Sequence, residues 1–130
     1  MTRSNIKESN ILVVDDNPEN LKTLVSMLTE KGYRVRPAIS GQLALKAARQ
    51  ETPDLILLDI RMPYMDGYEI CERLKADEQT REAPVIFISI LDEIQDKVKG
   101  FGVGGVDYII KPFQPEEVLA RIETHLLLRA

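Results

Sequence analysis

The chain has 130 residues, of which 17 are basic and 21 acidic, giving a formal charge of −4, with 44% hydrophobic and 29% charged residues. This is the balance of one soluble globular domain, and it argues against a disordered chain, a collagen-like repeat or a disulfide scaffold. The acidic excess argues against a general nucleic-acid binder, which needs a basic face, and the single Cys71 cannot form an internal disulfide.

The segment from Met1 to Asn10 is polar and mixed in charge, without the apolar centre of a signal peptide. Uninterrupted apolar runs are about four residues long, against the roughly 20 that a spanning helix needs. The expectation is a soluble, cytoplasmic protein with no membrane partner.

The first apolar run, Ile11-Leu12-Val13-Val14, is short and rich in β-branched residues, so it reads as a strand buried on both faces. Asp15-Asp16 follow it. Asn17-Pro18-Glu19 then has the form of a helix start: a capping Asn, Pro at the first helical position and an acid in the first turn. Leu21, Leu24, Val25 and Leu28 give that helix one apolar face, and Gly32 a stop. Tyr33 to Ala38 reads as a second strand. Ser40 caps a helix over Gly41 to Gln50 with Leu43, Ala44, Ala47 and Ala48 inward, and Thr52-Pro53 ends it.

Leu55-Ile56-Leu57-Leu58 is a third strand that stops at Asp59. Beyond Arg61-Met62-Pro63, Asp66 and Glu69 have the spacing of an N-cap and an N3 acid, before a helix carrying Ile70, Cys71 and Leu74. Val85-Ile86-Phe87-Ile88 is a fourth strand ending at Ser89. Glu93 to Phe101 is a weaker helix, with Ile94, Val98 and Phe101 on one face. Asp107 to Ile110 is a fifth strand ending at Lys111-Pro112, and Pro115-Glu116-Glu117 opens a last helix with Val118, Leu119, Ile122 and Leu126 inward. Alternating strands and helices with short links predict an α/β fold: one parallel sheet covered by helices on both faces.

Four buried-type strands thus end at Asp15, Asp59, Ser89 and Lys111. In a parallel sheet these ends share one edge, and open α/β sheets bind ligands in the crevice beyond it. The pattern gathers the carboxylates of Asp15, Asp16 and Asp59, the Ser89 hydroxyl and the Lys111 ammonium around one crevice. Two carboxylates roughly 5 Å apart repel by about 3 kcal/mol at an effective dielectric of about 20. Either one is protonated or a cation binds. Few protein ligands and several waters suit Mg²⁺ better than Ca²⁺. Mg²⁺, a lysine and a hydroxyl equip a site for phosphoryl transfer, and a carboxylate can itself be the nucleophile, giving an aspartyl-phosphate. Asp59 is the best-placed candidate, because it ends a middle strand alone, between the acidic pair and Ser89.

Val14-Asp15-Asp16-Asn17, Leu58-Asp59-Ile60-Arg61-Met62-Pro63, Met65-Asp66-Gly67, Ile88-Ser89 and Asp107-Tyr108-Ile109-Ile110-Lys111-Pro112-Phe113 closely resemble the receiver domain of bacterial two-component response regulators. The resemblance runs from about Asn10 to Leu128. It implies a flavodoxin-like (βα)5 fold, strand order 2-1-3-4-5, spanning 10–128 between a short polar tail (1–9) and a C-terminal end (129–130). It implies that Asp59 accepts a phosphoryl group from a phosphohistidine on a sensor histidine kinase or a histidine phosphotransfer domain. Asp16 and Asp59 would hold Mg²⁺ (or Mn²⁺) directly, Asp15 through water, with the Arg61 backbone carbonyl a further ligand. Lys111 would pair with the phosphoryl oxygens and Ser89 hydrogen-bond to them. Tyr108 would be the aromatic whose rotamer follows Ser89, and Lys111–Pro112 a cis bond. The face of fourth helix, fifth strand and fifth helix would shift between two arrangements and serve a homodimer or an output domain. The chain would then be a phosphoacceptor rather than a turnover enzyme, acting alone or as part of a longer protein. The leucine-rich helix that stops at Arg129-Ala130 favours the latter.

One position departs from the family pattern: Ile90 follows Ser89 where the family usually has Ala or Gly. A larger side chain beside the phosphoryl site is expected to slow phosphoryl turnover, with Arg61 and Leu91 as further flanking groups.

Other features read more plainly. The letters G-x-G-x-x-G occur at Gly100 to Gly105, but they follow a helix and precede a strand, the reverse of the nucleotide-binding context. His125 is read as structural or solvent-facing, Cys71 as a small buried hydrophobe, and Leu126-Leu127-Leu128 as core plus a partly exposed strip. Three competing functions fit these residues less well. A hydrolase using Asp59 would want a second carboxylic acid two residues on, where Arg61 stands. A flavodoxin-like cofactor binder would bring a phosphate against Asp15-Asp16. A receiver-like interaction module that is never phosphorylated would have no use for the intact acidic pair, Asp59 and Lys111.

Overall fold

The computed structural model describes residues 8–129. Residues 1–7 of the expected 1–9 tail, and Ala130, lie outside the described residues. The elements are β1 (Asn10–Val14), α1 (Pro18–Glu30), β2 (Arg34–Ala38), α2 (Gly41–Gln50), β3 (Leu55–Asp59), α3 (Gly67–Ala76), β4 (Val85–Ser89), α4 (Ile94–Gly102), β5 (Asp107–Ile110) and α5 (Pro115–Arg129). The five strands form one sheet in the order β2-β1-β3-β4-β5, every neighbouring pair parallel. This is the flavodoxin-like arrangement.

The apolar runs are buried on both faces, and their alternation divides the core in two. Ile11, Val13, Leu55, Leu57, Ile86, Ile88 and Ile109 pack against Leu21, Leu24 and Leu28 of α1 and Val118, Ile122 and Leu126 of α5. Leu12, Val14, Ile56, Leu58, Val85 and Phe87 face the other way, onto Ala44 and Ala48 of α2 and Ile70, Cys71 and Leu74 of α3. Pro37 sits in β2, an edge strand, where its missing N–H costs no second ladder bond.

The expected helix starts form as read. Asn17 Oδ1 accepts the N–H of Glu19 at 2.9 Å and of Asn20 at 3.1 Å, Ser40 Oγ that of Leu43 at 3.2 Å, and Asp66 Oδ1 that of Glu69 at 2.9 Å. Gly32 ends α1 with φ of 95°, a conformation that glycine takes without strain.

One expectation about facing is corrected. Leu43, expected inward, is 49% exposed, because Ala44 and Ala48 already fill the contact of α2 with the sheet and leave the neighbouring position outside. The apolar stripe of α4, expected to share one face without a stated direction, faces outward: Ile94 is 77% exposed, Val98 63% and Phe101 52%. Gly100 is the one buried residue of that helix. The helix itself is displaced by one residue from the expected Glu93–Phe101, with Glu93 as its cap. Ser9, expected in the tail, is buried, and its carbonyl accepts the Arg34 N–H at 3.0 Å.

Candidate functional site

The carboxyl ends of β1, β3, β4 and β5 meet at one edge, as the parallel pattern requires. Asp15 follows β1 and Asp59 closes β3. The Lys111 backbone N–H donates to the Ser89 carbonyl at 2.8 Å, which ties the end of β5 to that of β4. The Lys111–Pro112 peptide is cis.

Asp15 is fully buried. Its Oδ1 accepts the Asn17 N–H at 2.9 Å, closing the turn into α1, and its Oδ2 meets Lys111 Nζ at 2.9 Å. Lys111 Nζ also reaches Asp59 Oδ2 at 3.3 Å, while Asp59 Oδ1 faces the Arg61 N–H at 3.4 Å. Asp16 is exposed at the rim, and carboxylate oxygens of Asp15, Asp16 and Asp59 lie within 4.8 Å of one another. Asn17, Asn20, Arg61 and Ile90 complete the cleft around these acids and Lys111.

The electrostatics follow from this crowding. Burial, reinforced by the Asp15 charge, pushes the Asp59 carboxyl above the ordinary carboxylate range, although Lys111 pulls the other way. For Lys111, burial lowers the pKa, but the hydrogen bond to Asp15 and the charges of Asp59 and Asp15 outweigh it, so the ammonium is held more firmly than usual. Three carboxylates against one ammonium leave a formal −2. One divalent cation neutralises that charge, and its preference for hard oxygen ligands matches the donor set.

Gly67 makes the neighbouring turn possible. A β-carbon there would overlap the Asp59 carbonyl and Ile60 Cα, and the Gly67 N–H donates to the Ile60 carbonyl at 2.8 Å. The start of α3 therefore lies flat against the end of β3.

Ser89 and Tyr108 form a second group beside the first. Ser89 is fully buried, and its Oγ accepts the Leu91 N–H at 3.2 Å. Tyr108 is also buried, and its hydroxyl donates to the Leu91 carbonyl at 2.6 Å. Leu91, expected only to flank the site, is held through both main-chain polar groups. Sequence reading did not single out Asn20 or Tyr68. Asn20 lies one turn into α1 and shows no motif. Tyr68, buried beside Phe87, looks in sequence like ordinary helix core. The glycine-rich letters occupy the exit of α4, with Gly104 at φ of 111°. His125 Nε2 lies 3.0 Å from Asp107 Oδ2, a structural pairing, and Cys71 is fully buried.

The model of the response regulator receiver domain matches residues 11–123. A DNA-binding dual master transcriptional regulator, RpaA of Synechocystis, is 44% identical over 117 residues, which cover 89% of this chain and 48% of that protein. The chain spans about half the length of this curated relative. A putative response regulator from Chloroflexus aurantiacus superposes with a TM-score of 0.88 at 33% identity, over 92% of this chain and 98% of that one. The receiver domain of sensor histidine kinase PA1611 from Pseudomonas aeruginosa, solved with a magnesium ion coordinated in its active site cleft, gives 0.85 at 32% identity, over 92% and 98%. Among the described residues, no helix is long and apolar enough to cross a membrane.

Proposed function

Because the chain belongs to the response regulator receiver family, we propose that it is a phosphoacceptor switch of a two-component relay, with Asp59 as the acceptor. The observation that carries this is the placement of Lys111 Nζ, 2.9 Å from Asp15 and 3.3 Å from Asp59, beside a third carboxylate. The charge of the cluster and its all-oxygen donors fit Mg²⁺, or Mn²⁺, held by Asp16, Asp59 and the Arg61 carbonyl, with Asp15 behind them. A bound divalent cation there would offset the negative charge of the phosphoryl oxygens.

In the proposed step a carboxylate oxygen of Asp59 attacks the phosphorus of a phosphohistidine. The P–O bond forms as the P–N bond breaks, and the imidazole of the donor leaves. Lys111 orients the phosphoryl group and balances its charge, and Ser89 donates to one of its oxygens. The domain assists its own phosphorylation and dephosphorylation but turns over no separate substrate. Its partners are a sensor histidine kinase or histidine phosphotransfer domain on the input side. On the output side it meets a second copy or an output domain, through α4, β5 and α5. With a net charge of −4, it would not contact nucleic acid directly. The functional unit spans 10–128 and works in the cytoplasm.

Incubation with Mg²⁺ and acetyl phosphate, followed by intact mass, tests this. The expected result is a gain of one phosphoryl group, absent in Asp59→Asn. No gain in the wild type would leave a receiver-like interaction module, and continuous phosphate release from varied substrates would point to a hydrolase. Ile90 is 57% exposed and lines the same cleft. Ile90→Ala is expected to lose its phosphoryl group faster than the wild type, since a smaller side chain admits water; equal dephosphorylation rates would sink that role.

A further inference from the structure

The helix α4 rests on the domain largely through its main chain. A β-carbon at its buried Gly100 would stand 3.1 Å from a ring carbon of Phe87 and 3.3 Å from one of Tyr108, so the backbone lies directly on aromatic rings. Phe87 packs against two further rings. Tyr68 and Phe87 have centroids 5.7 Å apart, tilted by 56°, and Phe87 and Tyr108 6.2 Å apart, tilted by 47°.

Both tyrosines carry hydroxyls, and both grip one stretch of main chain. Tyr108 donates to the Leu91 carbonyl, in the link from β4 to α4. Tyr68 donates to the Asp96 carbonyl, in the first turn of α4, at 3.0 Å. The Lys99 ammonium lies 4.5 Å from the Tyr68 ring centroid, a second tie between the same ring and the same helix. Burial, followed by the charge of Asp96, pushes the Tyr68 phenol up, so it stays a neutral donor. A hollow between Ile60, Met62, Tyr68 and Leu91 leaves the linking segment room to move.

We propose that Tyr68 is a second latch of the switch, a positioning residue whose hydroxyl holds the first turn of α4 in the arrangement with Tyr108 buried. Tyr68 stands on α3, whose Gly67 lies flat against β3 and whose Ile70, Cys71 and Leu74 are core residues. Its hydroxyl is therefore a fixed point. A shift of α4 by about 1 Å already carries an acceptor out of hydrogen-bond reach, so the bond belongs to one placement of the helix and is lost in another. The latch rests on the phosphoacceptor reading. On that reading the phosphoryl group draws Ser89 inward and Tyr108 follows into the buried position that it occupies here. A bond made only in that arrangement raises the apparent affinity for any ligand that favours it.

Tyr68→Phe removes the hydroxyl and keeps the ring. With Mg²⁺-saturated protein, titration with beryllofluoride (a phosphoryl mimic) is expected to give a dissociation constant about 3- to 10-fold higher in the variant, as loss of one hydrogen bond requires. Affinity for Mg²⁺ alone should stay within about twofold, since the acids are untouched, and amide exchange of residues 97–102 should quicken in the free variant. Equal beryllofluoride affinity, a matching loss of Mg²⁺ affinity or unchanged exchange in α4 would each overturn the latch. Should the wild type bind no beryllofluoride, the phosphoacceptor reading falls and the latch with it. Should wild type and variant bind it equally, only the latch falls.

Discussion

Two helices flank β5, and they are fastened in opposite ways. From α5, Val118, Ile122 and Leu126 enter the core, Arg121 and His125 both meet the Asp107 carboxylate, and Arg129 reaches the Asp54 carbonyl and carboxylate at 2.8 and 3.0 Å. From α4 only a glycine is buried, while its apolar side chains face outward. One helix is part of the frame. The other lies on the frame, held by the Tyr68 hydroxyl and a main-chain contact at Gly100, with the Tyr108 hydroxyl fastening the segment that leads into it. Burial of apolar side chains is the dominant favourable contribution to folding, so a helix without it can change place at small cost. On the proposed switch, this difference makes α4 the part expected to move.

The largest expected effect lies on the fastened side. Ile122→Ala should lower the free energy of unfolding by about 2–5 kcal/mol, as for buried aliphatics in general, measured by urea denaturation. A loss below about 1 kcal/mol would mean that α5 is no better seated than α4. Next comes Gly100→Ala, which places a methyl group 3.1 Å from the fully buried Phe87 ring, so that α4 or the ring must give by a few tenths of an ångström. Its expected cost is about 1–3 kcal/mol, together with faster amide exchange confined to α4. Exchange that quickened equally in α5 would erase the contrast.

A smaller effect is expected from pH. Burial alone would raise the Asp107 carboxyl, but hydrogen bonds from His125, the Tyr108 N–H and Arg121 outweigh it and hold it below its ordinary value. The folded pKa thus lies below the unfolded one, near 3.8. The resulting stability is fully present above that unfolded value and is lost as pH falls through the folded one. Stability measured from pH 6 downward should therefore fall less steeply in Asp107→Asn than in the wild type; parallel curves would remove this fastening of α5. The smallest effect is reserved for α4: Val98→Ala should stay within about 0.5 kcal/mol of the wild type, and a loss above about 2 kcal/mol would show that its outer face is core after all.

Much of this arrangement was legible in the residues. Short continuous apolar runs and period-3.6 apolar patterns gave five strands and five helices, because a buried run has few ways to satisfy its backbone. The strand ends then gathered Asp15, Asp59, Ser89 and Lys111 at one edge, since parallel strands all finish on the same side. Caps at Asn17, Ser40 and Asp66 were legible for a local reason: each side chain bonds an N–H two or three residues on. The facing of Leu43 and of the α4 stripe was not legible. An apolar periodicity says that side chains share a face, but not whether that face meets the sheet or the solvent.

The sequence by itself therefore determined the order of elements, the parallel sheet and the residues at its edge. These follow from local geometry and from spacing along one chain. Only the tertiary structure decided that Lys111 bridges Asp15 and Asp59, that Tyr68 of α3 and Tyr108 of β5 hold the segment from Leu91 to Asp96, and that α4 buries only a glycine. Each of these depends on distances between residues far apart in the chain, such as the 96 positions between Asp15 and Lys111. Such distances are set by how the layers pack, which no single segment encodes.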